Sequence, residues 1–260
     1  MKPPAARVLL TGAGGGIGSA AAQALVRAGA AVMLAGRSAE ALERQARALQ
    51  AAAGADRVAW RAADLAEPAQ IAALADAAAG WDCNVVVHNA GVPGFGRLAD
   101  TSAEEVARVL STNLVAPVLL TRALLPHLLR QPAARVVCMG SVLGRLGLPG
   151  YSVYGASKFG LRGFAESLRR ELQGTPVRVQ YLGPRSVRTG FNSPAAQAYN
   201  AATNARSDAP EAVAAALLDL LERGDAERFL GFPEKLAVRI NGLAPGLLDK
   251  AFAKHRDSLA

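Results

Sequence analysis

Cysteine is scarce in this chain: Cys83 and Cys138 are the only two among 260 residues, and each lies in an apolar run. A disulfide-stapled scaffold needs more cysteines in a shorter chain, so two core thiols in a reducing compartment are expected instead. No uninterrupted apolar stretch approaches the roughly 20 residues of a membrane span. Met1–Arg7 runs straight into a strand-like segment, without the apolar stretch and small-residue cleavage site of a secretory signal; the expected location is the cytoplasm. Blocks of five or six basic residues are also missing, although 29 Lys and Arg against 21 Asp and Glu give a formal charge of +8. Scattered arginines read as a solvated surface that partly serves a small anion, not as a nucleic-acid footprint. No linker, composition shift or repeat divides the chain, so residues 1–260 read as one domain.

What is present is an alternation. With 51% hydrophobic residues, the chain can build a full core. Short apolar runs at Arg7–Thr11, Ala31–Ala35, Arg57–Arg61, Cys83–His88, Ala134–Met139, Val177–Leu182 and Arg228–Leu230 read as strands. Between them, Ile17–Ala28, Ala39–Ala53, Pro68–Ala79, Ala103–Leu129, Tyr151–Leu172 and Pro210–Arg223 read as helices. Pro117 is expected to kink or break the fourth of these. Gly183–Ser207 reads as a long binding loop with room for a short helix. The predicted fold class is α/β: a Rossmann-like, doubly wound, mostly parallel seven-stranded sheet with helices on both faces. Such sheets bind ligands beyond the carboxyl ends of their strands, so candidate residues are sought there.

At the first strand end stands Thr11-Gly12-Ala13-Gly14-Gly15-Gly16-Ile17-Gly18. Glycines let backbone N–H groups approach a pyrophosphate, and the helix that follows offers its N-terminus to the same anion. The position after a first strand and before a first helix is the context a dinucleotide loop requires. At the second strand end come Arg37 and Ser38 and no acid before Glu40. An acid there would bind a free 2′-hydroxyl; an arginine welcomes a 2′-phosphate, which favours NADP(H) over NAD(H). Ser38 can equally cap the next helix. Asp64 and Leu65 follow the third strand, where a carboxylate can accept from an adenine amino group or cap the helix at Pro68. Asn89, Ala90 and Gly91 follow the fourth, where small residues let the backbone pass a ribose.

Tyr154 and Lys158 are four apart in a predicted helix, hence one turn apart on one face. An ammonium beside a phenol is expected to lower the phenol pKa toward use as an acid/base. Ser141, just past the fifth strand, can bind the same substrate oxygen. Asn113 lies near the predicted break and can hold a water against Lys158.

Taken together, Thr11–Gly18, Asn89–Gly91, Asn113, Ser141 and Tyr154–Lys158 resemble the short-chain dehydrogenase/reductases, in their single-domain branch, over nearly the whole chain. The resemblance implies a Rossmann-like fold, NAD(P)(H) dependence, and an Asn113–Ser141–Tyr154–Lys158 tetrad in which Lys158 also binds nicotinamide ribose. It further implies a homodimer or homotetramer, and a place for Thr189 near the nicotinamide carboxamide. The chain departs from the family pattern twice. His88 stands where the family often has Asn, a sheet-bracing position. Arg185 stands where the family tends to have Gly, and with Arg188 it can meet an anionic substrate or serve only as part of a surface loop.

The expected activity is interconversion of a carbonyl and a secondary alcohol, read as reduction of a hydrophobic or acyl-bearing ketone with Tyr154 as acid/base. The apolar loop Leu143, Leu146, Leu148, Pro149 and Tyr151 points to such a substrate. The alternative from another class is a non-catalytic NADP(H) sensor or scaffold, against which the intact tetrad argues. The stretch 232–260 is amphipathic and basic, with Leu236, Val238, Ile240, Leu243, Leu247, Leu248 and Phe252 among Lys235, Arg239, Lys250, Lys254 and Arg256. It is read as closing the substrate pocket or as an oligomer interface, with peripheral membrane contact as the other option. No metal site and no nucleic-acid partner are expected.

Overall fold

The computed structural model describes residues 1–249 and 252–259. The first half runs β1 Arg7–Thr11, α1 Gly16–Arg27, β2 Ala31–Gly36, α2 Ala39–Ala53, β3 Val58–Ala62, α3 Pro68–Gly80 and β4 Val85–His88. The second half runs α4 Ala103–Leu110, α5 Ala116–Leu128, β5 Ala134–Met139, α6 Ser152–Glu171, β6 Val177–Gly183, β7 Ser186–Val187, α7 Pro194–Ala202, β8 Ser207–Asp208, α8 Pro210–Arg223 and β9 Glu227–Phe229. Helices α9 Glu234–Leu243, α10 Gly246–Asp249 and α11 Ala253–Asp257 follow.

The described residues form a parallel seven-stranded sheet in the order β3-β2-β1-β4-β5-β6-β9, with β7 and β8 paired apart from it. This is the expected doubly wound α/β fold. The strand order reverses between β1 and β4, which opens a crevice at their carboxyl ends. On one face, Leu25, Leu42 and Leu217 from α1, α2 and α8 pack on the sheet; on the other, Leu74, Leu124 and Leu161 from α3, α5 and α6 do. Burial on both faces explains strands such as Val85–His88 that are apolar almost throughout. The segment read as a loop, Gly183–Ser207, instead holds β7 and α7, with β8 beginning at Ser207.

Pro117 does not break its helix. The chain stays helical from Ala103 to Leu128 through a π-helical turn at Ser111–Val115, where Ala116 N–H bonds the Ser111 carbonyl. Pro117 sits in the first turn of α5, where its missing N–H does least harm. Such wide turns recur at functional positions, and this one carries Asn113. By length and composition, the 26 residues from Ala103 to Leu128 match a membrane span, yet Leu120, Leu124 and Leu128 on this helix are core.

Candidate active site

The crevice at the carboxyl ends of the strands is a cleft of about 1520 Å³ that runs from the glycine loop and Arg37 to Ser141, Tyr154 and Lys158. At its floor, the Thr11 hydroxyl accepts hydrogen bonds from the N–H groups of Asn89 and Ala90, both at 3.0 Å. The Asn89 side chain donates to the carbonyls of Thr11 and Gly12 at 3.0 and 3.1 Å. The side chains of Thr11 and Asn89 are thus committed to shaping the loop.

The loop itself tests whether a dinucleotide fits. Gly12 has φ +65°, and a Cβ there would stand 2.7 Å from Ala90 Cα. A Cβ at Gly18 would stand 2.1 Å from the Gly12 carbonyl, and one at Gly16 2.4 Å from Thr189 Cγ2. Gly14 has open space instead: a Cβ there would meet nothing within 4 Å. Helix α1 starts after Gly15, which offers no capping side chain, so its first N–H groups keep their hydrogen-bonding capacity at the cleft. An anion-shaped cradle of backbone donors beside Ile17 and below Thr189 fits a pyrophosphate.

The adenosine end is mixed. Arg37 is exposed on the cleft wall. Ser38 caps α2, its Oγ accepting from Ala41 N–H at 3.2 Å. Asp64 does not cap the helix at Pro68, whose N-cap is Glu67; Asp64 Oδ1 accepts from Ala66 N–H at 2.9 Å. Leu65, Ala90 and Gly91 line the cleft. His88 points away from it, 2% exposed, and its Nε2 pairs with Thr121 Oγ1 of α5 at 2.7 Å. Burial lowers the His88 pKa to about 4, so the ring is neutral and acts as a brace between sheet and helix.

At the other end, Ser141 leaves β5 and accepts from Leu143 N–H through Oγ at 3.1 Å. Lys158 is 4% exposed; its Nζ donates to the Met139 carbonyl at 3.1 Å and lies 5.7 Å from the centre of the Tyr154 ring. Each polar atom of the Asn113 side chain has a partner: Oδ1 accepts from Val92 N–H at 2.8 Å, while Nδ2 donates to the Val92 carbonyl at 3.0 Å and to Ser157 Oγ at 3.2 Å. Both Nδ2 hydrogens are thus taken, and one Oδ1 lone pair is used. The main-chain carbonyl of Asn113 lacks the usual donor four positions on, because that residue is Pro117, which has no N–H.

The electrostatics correct one expectation. Burial pushes the Tyr154 phenol above its ordinary value, aided by Tyr151 and opposed by a hydrogen bond from Ser141. The expected net lowering does not occur here: desolvation of the phenol outweighs what favours the phenolate, and Lys158 is desolvated as well, its pKa falling from 10.5 to about 8. A buried lysine of this kind loads the fold. Between pH 8 and 10.5 the unfolded chain binds the proton more tightly, so Lys158 makes stability rise with pH through that window. At pH 7 both states are protonated and the penalty is complete, roughly 3 kcal/mol at about 1.36 kcal/mol per pH unit. Lys158→Met is therefore expected to resist urea better than wild type at pH 7, and to lose that advantage above pH 10.5. Parallel titrations at the two pH values check this, and a wild-type protein as stable as Lys158→Met at pH 7 would contradict it.

Arg185 does not present a free charge to substrate. Its guanidinium donates to Asp208 Oδ1 at 2.6 and 3.0 Å and meets Glu234 at 3.4 Å, so β8 and α9 neutralise it. Arg188 likewise turns to the Ser207 carbonyl at 2.8 Å. The segment after residue 232 partly closes the cleft with Ala237, Phe252 and His255, while Val238 packs with Val142, Leu143 and Leu146. Leu243 and Leu247 of the same stretch are 89% and 72% exposed. Lys250 lies outside the described residues. Sequence reading missed Tyr199, whose buried hydroxyl donates to the Pro149 carbonyl at 3.0 Å and lies 2.8 Å from His255 Nδ1; these partners are 50 and 56 positions away, beyond any local pattern.

The short chain dehydrogenase family model matches residues 6–200, most of this chain. The chain belongs to the short-chain dehydrogenases. As such it is an oxidoreductase, and its relatives are named accordingly. Dehydrogenase/reductase SDR family member 7B of Bos taurus is 34% identical, over 95% of this chain and 80% of that protein. Among solved structures, a short-chain dehydrogenase/reductase from Burkholderia phymatum in complex with NAD is 27% identical with a TM-score of 0.83, covering 92% of this chain and 94% of that one. A short-chain dehydrogenase from Sphingobium yanoikuyae in complex with NADPH is 26% identical with a TM-score of 0.79, covering 93% and 94%. This short-chain dehydrogenase thus shares its fold with proteins of either cofactor.

Proposed function

We propose that the protein is an NADP(H)-dependent reductase of a hydrophobic or acyl-bearing ketone, with Tyr154 as its acid/base. The observation that carries this reading is one continuous cleft lined by the glycine loop, Arg37, Ser141, Tyr154 and Lys158. The backbone of Gly12–Gly18 would hold the pyrophosphate, Arg37 the 2′-phosphate, Asp64, Leu65 and Asn89–Gly91 the adenosine and ribose surroundings, and Thr189 the carboxamide. When bound, the nicotinamide supplies or withdraws the hydride.

The remaining chemistry belongs to the chain. Tyr154, kept protonated by burial, gives its phenolic proton to the carbonyl oxygen as negative charge develops there. The Ser141 hydroxyl donates a second hydrogen bond to that oxygen and fixes its position. Lys158 places positive charge behind the phenol as it turns into a phenolate, and holds a ribose hydroxyl. Asn113, whose main-chain carbonyl lacks a donor four positions on, holds the water that returns a proton toward Lys158. Leu143, Leu146, Leu148 and Tyr151 supply the apolar wall for the substrate.

The test follows NADPH and NADH oxidation against a carbonyl panel that includes carrier-linked acyl ketones, for wild type and Arg37→Ala. NADPH is expected to be preferred. Arg37→Ala should lose about ten- to hundredfold in kcat/KM for NADPH alone, the equivalent of one to two charge-assisted hydrogen bonds. Equal use of both cofactors, unmoved by the substitution, overturns the NADP(H) reading; no oxidation with any carbonyl overturns the reductase.

A further inference from the structure

The main chain of Ser141 is gripped by a residue that lies outside the cleft. Tyr181 on β6 is 2% exposed. Its hydroxyl accepts the Ser141 N–H at 3.0 Å and donates to the Ser141 carbonyl at 2.9 Å, so one phenol holds the main-chain groups on both sides of a single residue. Burial pushes the Tyr181 pKa well above its ordinary value, which keeps the hydroxyl able to donate and accept at once. Two glycines make room for it. A Cβ at Gly140 would stand 1.9 Å from Tyr181 Cζ, and one at Gly144 would stand 2.0 Å from its oxygen. Phe229 closes the far side, with ring centres 5.8 Å apart.

The arrangement answers a mechanical need. Past the end of β5, Gly140 N–H bonds the Leu182 carbonyl at 2.7 Å and Val142 N–H the Pro184 carbonyl at 2.9 Å, while the N–H of Ser141 between them points away from the β6 main chain. Ser141 is 8% exposed, and a buried N–H without a partner is costly enough that the peptide would rotate to find one. Rotation of either peptide plane swings the Oγ. The Ser141 carbonyl has a second donor in Gly144 N–H at 2.9 Å, whereas the N–H is met by the phenol.

We propose that Tyr181 is a positioning residue for this reaction, whose hydroxyl locks the Ser141 backbone and so aims the Ser141 hydroxyl at the substrate oxygen. This rests on the reading of Ser141 as the group that binds that oxygen. Tyr181→Phe keeps the ring and its packing and removes only the clamp. It is expected to lower kcat about ten- to hundredfold, the size of effect that a misplacement near 1 Å produces, with NADPH affinity unchanged. In a double-mutant cycle with Ser141→Ala, the second loss should vanish: Tyr181→Phe has nothing left to misaim. Rates are expressed per NADPH-binding site, so that partial misfolding does not masquerade as slow chemistry. Should Tyr181→Phe not fold, Gly140→Ala drives the same hydroxyl off its seat and must show the same loss and the same non-additivity.

Three outcomes overturn the proposal. A fully active Tyr181→Phe beside a slow Ser141→Ala removes it alone. Losses that multiply in the double variant show Tyr181 acting apart from Ser141. A fully active Ser141→Ala removes the assignment of Ser141 first, and the clamp with it.

Discussion

Tyr154→Phe is expected to lower turnover by about 10²- to 10⁴-fold, the range for loss of a general acid, while NADPH affinity stays within a small factor of wild type. The phenyl ring retains the ring contacts with Tyr151 and Phe191, at 6.2 and 6.1 Å between centres, so the cleft keeps its shape. Only the proton is removed. The free enzyme adds a directional expectation. Because burial holds the phenol protonated, ketone reduction should run flat across neutral pH, since the acid form is the resting form. Alcohol oxidation needs the phenolate and should climb with pH as that form accumulates. Steady-state rates in both directions across about pH 6–10 check the sign. Oxidation that falls as pH rises, or a Tyr154→Phe enzyme of undiminished rate, would reject Tyr154 as the acid/base.

The second large effect is steric. Gly18→Ala places a methyl carbon 2.1 Å from the Gly12 carbonyl and 2.9 Å from both Ala13 Cα and Asn89 Nδ2, a collision with backbone that no rotamer relieves. Overpacking of this kind costs about 1–3 kcal/mol, and if the loop moves to relieve it, NADPH binding should weaken about ten- to hundredfold. Gly14→Ala is the informative partner. Nothing lies within 4 Å of its added carbon, so the fold should not notice. A loss of NADPH affinity at Gly14 without a loss of melting temperature would report the ligand's own closeness to the loop. Isothermal titration with NADPH, paired with thermal melts, separates the two variants. Wild-type affinity in Gly18→Ala would remove the glycine loop from the binding site.

Which features the sequence discloses depends on how far their partners are. The glycine loop stands out because strand, turn and helix are contiguous from Arg7 to Arg27, and Tyr154 and Lys158 because a helix turns local spacing into a shared face. The sheet is legible for the same reason, since each apolar run is long enough to speak for itself; only β4 starts two residues later than its apolar run suggests. Properties set by distant partners are not legible. The polar groups of Asn113 look free in sequence, yet Val92, 21 positions back, takes up its side chain. Arg185 looks like a cation awaiting an anion, yet its acids arrive 23 and 49 positions later. The direction of the Tyr154 shift is hidden too, because i, i+4 spacing reports proximity to Lys158 and says nothing of the water both groups lose.

The ion cluster at Arg185 has a consequence for recombination. It joins three pieces of chain: the exit from β6, β8 at Asp208, and the start of α9 at Glu234. With Arg185 exchanged for the glycine frequent in the family, two acids with only 19% and 20% of their side chains exposed would lose their shared cation. A chimera that imports a foreign stretch from this region must therefore bring all three pieces or none, and crossover points between residues 185 and 234 should yield few soluble progeny.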